Sequence, residues 1–118
     1  MRFMTMVSGS ENAGVPPAEM FTAVEEFAAE ATKQGVLVIR GGLFPSSAGA
    51  RVRVAKGRIK VTDGPFSEAK EVVGGWAILR VNSRAEALEN ARQFMELHSK
   101  HWPGWEGTSE VFEMEEYG

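Results

Sequence analysis

The stretch Arg51–Phe66, RVRVAKGRIKVTDGPF, decides how the rest of the chain is read. Valine and isoleucine alternate with arginine and lysine on both sides of Lys56-Gly57. Alternation with a period of two marks a half-buried strand. A two-residue break ending in Gly suits a tight hairpin turn, because Gly takes positive φ without steric cost. The register this sets pairs Val54 with Ile59 and Val52 with Val61 on one face. Arg53 then meets Lys60, and Arg51 meets Thr62, on the other. Like charges placed opposite each other are destabilising, so an anionic neighbour is expected to offset them.

Outward toward the N-terminus, Leu43–Ala50 is a loop rich in Pro, Ser and Gly. The apolar run Val36–Ile39 before it reads as a strand that Gly41-Gly42 should end. Pro16-Pro17 introduces a helix, Pro being favoured where an N–H would go unpaired anyway. Met20, Phe21, Val24, Phe27, Ala28 and Ala31 follow helical spacing there, and Gly35 is a natural stop. Residues 1–8 read as a strand, with a polar loop after it. Toward the C-terminus, the segment Glu71–Val81 contains a strand. Trp76, Ile78 and Arg80 point one way from it, and Ala77, Leu79 and Val81 the other. Ser83 followed by Glu86 is a capping box opening a second helix. Leu88, Ala91, Met95 and His98 form its stripe, with Ala87 and Phe94 beside it, and Pro103 ends it. A last strand is expected over Glu110–Tyr117.

The order β-α-β-hairpin-β-α-β predicts a ferredoxin-like α+β sandwich, with the hairpin as an elaboration and both helices on one sheet face. No linker or repeat divides residues 1–118, so a single domain is expected. The other sheet face is unusual. Phe3 and Val7 point to one side of the first strand, and Met4 and Met6 to the other. The Trp76 strand is apolar on both sides as well. A water-facing sheet alternates more cleanly. A second copy is the simplest cover, which predicts a homodimer with a cleft between or beside the sheets.

Composition narrows the function classes. Hydrophobic residues make up 43% and charged residues 25%, as in an ordinary globular protein. The net charge of −3 argues against nucleic acid as a partner. There is no cysteine, which excludes disulfides, thiolate metal sites and Cys nucleophiles. No stretch approaches the ~20 apolar residues of a membrane span, and the first residues lack the apolar core of a signal peptide. A cytoplasmic protein without membrane partners is expected.

VTDGPFSEAKEVVGGWAIL, with MRFMTMV, the Gly pair before the hairpin and the helix after the last Gly pair, resembles the YCII-related proteins, and within them the DGPF-domain branch. The likeness runs over nearly the whole chain. It implies a ferredoxin-like fold that dimerises as an α+β barrel. It also implies two function classes. Some relatives in the wider superfamily act on small organic molecules without a cofactor, and others are encoded beside or fused to sigma factors. The expectation is therefore a binder or converter of a small organic molecule in a dimer cleft, with no cofactor. The alternative is a non-catalytic regulatory module associated with a sigma factor. The namesake branch has a proposed site of a His and an Asp. This chain has no His in its first half, so that site is not carried over.

The candidate site residues follow. Asp63 shares the parity of Ile59 and Val61, so its carboxylate is expected on the apolar side at a strand end. Poor solvation there would call for a partner, Arg40, Arg51, Arg53 or Lys70, or raise its pKa for acid–base work. The plain alternative is a turn in which Asp, Gly and Pro set the backbone and Phe66 plugs the core. Glu68, Lys70 and Glu71 either line the cleft with Asp63 or are solvated. His98 and His101 lie three apart and could share a helix face. With Glu106 they could hold a metal, but HxxH alone is weak, and His98 continues the core stripe. Trp76, Trp102 and Phe66 are candidate apolar walls. Arg51, Arg53, Arg58 and Lys60 are either solvated or face the acidic end, Glu113, Glu115 and Glu116, across a dimer.

Overall fold

Leu79 and Val81 flank Arg80, and a strand that alternates this way must lay its apolar side against another layer. In the computed structural model, which describes residues 1–118, that layer is a pair of helices. The strands are β1 (Arg2–Gly9), β2 (Leu37–Gly42), β3 (Ala50–Ala55), β4 (Arg58–Asp63), β5 (Val72–Arg80) and β6 (Gly107–Glu113). The helices are α1 (Ala18–Lys33) and α2 (Arg84–His101). The main sheet has the order β2-β5-β1-β6, antiparallel throughout, which is the ferredoxin-like arrangement. β3 and β4 form a separate two-stranded sheet inserted between β2 and β5.

Phe3, Leu79, Val81 and Ala87 make the central core, where β1, β5 and α2 meet. Phe3 and Leu79 are each only 2% exposed, and each such burial contributes roughly 1.5–3 kcal/mol. Phe3 and Leu79 are cross-strand partners, as are Thr5 and Ala77, so the helix-facing side runs as the alternation requires. The capping signals act as read. The Ser83 hydroxyl accepts from the Glu86 N–H at 3.2 Å, and the Glu86 carboxylate accepts from the Asn82 N–H at 3.0 Å. Pro17 precedes the first turn of α1, and Gly35 follows its end at φ 76°.

One boundary differs from expectation, at the last strand. Gly41-Gly42 do end β2, and they do so as strand residues, paired with Trp76 and Gly75. The Trp76 indole lies across Gly41, where a Cβ would sit 2.6 Å from the ring. The glycine is there for close approach, not for a turn. The last strand begins at Gly107 rather than Glu110 and ends at Glu113, because its partner β1 runs out at Arg2. One more backbone bond, Met114 N–H to Arg2 carbonyl at 2.8 Å, completes that edge.

The hairpin has the anticipated register, Val54 with Ile59 and Val52 with Val61. Lys56 and Gly57 both have positive φ, 52° and 74°, as a tight primed turn demands. Every residue of β3 and β4 is exposed, the four apolar ones included. The radius of gyration is 16.0 Å, against about 13.5 Å for a compact domain of this length. The hairpin is thus an arm that projects from the sandwich.

Candidate functional site

α1 packs chiefly on α2 and on β2. It stands off the middle of the sheet, and a cavity of about 890 Å³ occupies the gap. Thr5, Val7 and Ala77 line it from the sheet, Phe27, Ala28 and Ala31 from α1, and Asn90, Phe94 and His98 from α2. Its rim is apolar and open: Phe21 is 55% exposed, Leu43 55% and Phe44 88%.

One wall is a row of rings. Phe27 lies 5.7 Å from Phe94, Phe94 lies edge-on 5.0 Å from His98, His98 lies 4.5 Å from Trp105, and Trp105 stacks on Trp102 at 5.7 Å. These separations are those of attractive aromatic pairs. Helical spacing supplies the first half of the row, since Phe94 and His98 are one turn apart on α2. The chain then reverses after Pro103, and Trp105 comes back against His98.

His98 is the polar centre of this wall. It is 7% exposed. Its Nδ1 lies 3.1 Å from the Phe94 carbonyl oxygen. A carbonyl can only accept, so Nδ1 carries the proton and Nε2 presents its lone pair. Nε2 has no partner in the protein, yet no unpartnered side-chain nitrogen or oxygen is sealed from solvent. His98 itself lines the cavity. Desolvation holds His98 below the usual histidine range, against the bond to Phe94, which acts the other way. The ring is thus kept neutral, with its base nitrogen free.

The sequence candidates divide into separate places. Arg40, Trp76, His98 and Trp102 border the cavity. Arg40 gives Nη2 to Glu25 of α1 at 2.7 Å, which ties β2 to α1 at the cavity edge. His101 does not join His98. Its Nδ1 turns to Glu19 at 3.7 Å, across to α1, so the two histidines share no site.

Asp63, Phe66, Glu68 and Lys70 lie elsewhere, at the root of the arm. Asp63 is exposed, not poorly solvated, and forms no ion pair with Arg40, Arg51, Arg53 or Lys70. The arm carries no layer over its apolar face, so that face gives Asp63 no low-dielectric surroundings. The loop around it is held as a turn. The Gly64 N–H donates to the Gly49 carbonyl at 2.8 Å, and the Phe66 N–H donates to the Ser46 hydroxyl at 3.0 Å. The Gly64-Pro65 peptide is cis. The Arg51 guanidinium sits 3.8 Å above the Phe66 ring and bonds Glu68, holding that carboxyl below its ordinary range. Lys70 is exposed.

Residues 1–98 match the YCII-related domain. The chain belongs to the YCII-related family. The matched stretch ends at His98, so Trp102, Trp105 and β6 lie beyond it. No curated protein matches the chain. No helix is long and apolar enough to cross a membrane.

Sequence reasoning missed Phe27 and Phe94 as site residues, because helical spacing gives core and cavity wall the same pattern. It also missed Thr5 and Asn90. The available signal was Thr5, a polar residue between Phe3 and Val7 on the inward side of β1.

Proposed function

We propose that this protein binds a small, flat, largely apolar organic molecule in the cavity between α1 and the sheet, with the His98 Nε2 as its fixed polar anchor. The supporting observation is that residue: a neutral imidazole, oriented by Phe94 and backed by Trp105, in the wall of a cavity of about 890 Å³. Such a volume lies in the range of small-molecule sites, and apolar walls with few polar groups are their usual make-up. A ligand hydroxyl, amide or acidic C–H placed there would donate to Nε2. The same nitrogen suits general-base work at neutral pH. The reading requires no cofactor, and it places the acid–base role at His98 rather than Asp63.

The DGPF string assigns the chain, in this reading, to the DGPF branch, as a cytoplasmic homodimer of the α+β barrel kind. Surface area supports the dimer. The chain exposes 8491 Å², whereas a compact monomer of 12.9 kDa exposes about 6,300 Å². The surplus exceeds the ~800 Å² that a partner contributes to a standard interface. The apolar open face, with Met4, Met6, Trp76 and Ile78, accounts for part of it.

A fragment screen followed by amide NMR tests the binding site. Hits are expected to shift Phe94, His98 and Trp105, and to bind about tenfold more weakly to His98→Gln. Ala28→Leu, which projects three further carbons into the cavity, should weaken them. Hits that leave these residues unmoved, or that bind Ala28→Leu undiminished, would rule the cavity out.

A further inference from the structure

The arm raises a question that the cavity does not answer. Val52, Val54, Ile59 and Val61 are 68%, 69%, 71% and 63% exposed, side by side on one face of β3–β4. An isolated two-stranded ribbon is marginal in water, and an uncovered apolar strand face invites association. The opposite face carries Arg51, Arg53, Arg58 and Lys60, with Lys56 at the tip. The arm, residues 50–63, holds these five cations and one anion, Asp63, so the rest of the chain carries −7 against a total of −3. A basic arm on an acidic body is complementary to another copy of the same molecule.

We infer that the arm is a clasp: in the dimer, the apolar face of β3–β4 of each protomer lies on the open sheet face of its partner, alongside β6. This rests on the dimer reading above and adds the partner's arm to it. β6 is the matching surface. It is an edge strand, Phe112 is 51% exposed on its open side, and Glu110 lies on that same side two residues before it. Phe112 pairs with Met4 and Glu110 with Met6, so β6 continues the apolar face to an acidic rim. The arm's valines and isoleucine cover the first, and the net positive charge of the arm is attracted to the second. The surplus surface has room for both contacts, at the sheet face and at the arm. A longer-range attraction between basic arm and acidic body speeds docking and weakens with salt.

The test uses the full chain, whose lack of cysteine allows clean single thiols. Ile59→Cys and Phe112→Cys proteins are mixed and oxidised briefly, with Glu30→Cys as the control partner. The clasp requires a disulfide-linked pair of one of each, formed well above the control. In parallel, sedimentation measures the dimer of wild type and of Ile59→Glu. Ile59 is exposed in the single chain, so its replacement leaves the sandwich intact. The expected result is association weakened at least about tenfold, with circular dichroism of the monomer unchanged. A wild-type dimer whose affinity survives Ile59→Glu, with cross-linking no better than control, overturns the clasp and leaves the dimer standing. A chain that stays monomeric overturns both. A monomer that binds a short DNA duplex through Arg53 and Lys60 overturns them in favour of a nucleic-acid arm.

Discussion

At the residue scale, Gly64 and His98 show how one local geometry makes a turn and another makes a site. A Cβ on Gly64 would sit 1.6 Å from the Ser46 carbonyl oxygen, backbone against backbone, with the neighbouring loop already tied to it. Neither side can give. Gly64→Ala should therefore destabilise the protein by roughly 1–3 kcal/mol. An unchanged melting temperature would mean that the loop around Ser46 is loose. His98 obeys a different logic. Desolvation depresses its folded-state pKa below the ordinary histidine value. The unfolded chain therefore takes up the proton first as pH falls. His98 contributes stability in full above about 6.5, and that contribution is lost as pH drops toward the folded value. Chemical denaturation across that range should show wild type losing more stability than His98→Gln. Parallel losses would place the ring in water. The sequence exposed only half of this. DGPF was legible as a turn from its residue types, and His98 as part of a helix stripe. Nothing in the order of residues said that α1 would stand off the sheet and leave His98 beside open space. Cavities are gaps between elements, and helical periodicity is the same on either side of a gap.

At the scale of elements, local rules fared well because the chemistry they use is local. The Lys56-Gly57 turn, the register it sets and the capping of α2 depend on neighbours within four residues. The ends of β6 were misplaced because they depend on a distant partner, the length of β1. The cap of α2 can be weighed. The Ser83 hydroxyl is the acceptor for the Glu86 N–H, and Glu86 reaches back to the Asn82 N–H. Ser83→Ala removes one of these bonds at a helix start and should cost ~1 kcal/mol, or about 4 °C in melting temperature. Because α2 carries Phe94 and His98, fraying of its first turn should leave the site at its far end intact. Ligand shifts at His98 in Ser83→Ala should match wild type, and a loss of binding would show that α2 moves as a rigid rod.

At the scale of the whole molecule, the balance of surface decides. Only 10 of 118 residues are buried, which leaves a small core to offset the entropy of ordering the chain. A protein with so thin a core gains most of its stability from whatever covers its remaining apolar surface. If the cover is a second copy, folding and association are linked, and mass action makes the apparent stability depend on concentration. Melting temperature should then rise as protein concentration is increased from micromolar to submillimolar. Each tenfold increase favours the dimer by about 1.4 kcal/mol per dimer at room temperature. The same scan on Ile59→Glu should start from a lower melting temperature at low concentration and climb toward wild type as association is restored. Thermal melts over three decades of concentration, at fixed salt and at pH above the His98 transition, make the measurement. A flat line for wild type would mean that the folded monomer stands alone with its sheet face and arm in water, and that the surplus surface belongs to a partner other than itself.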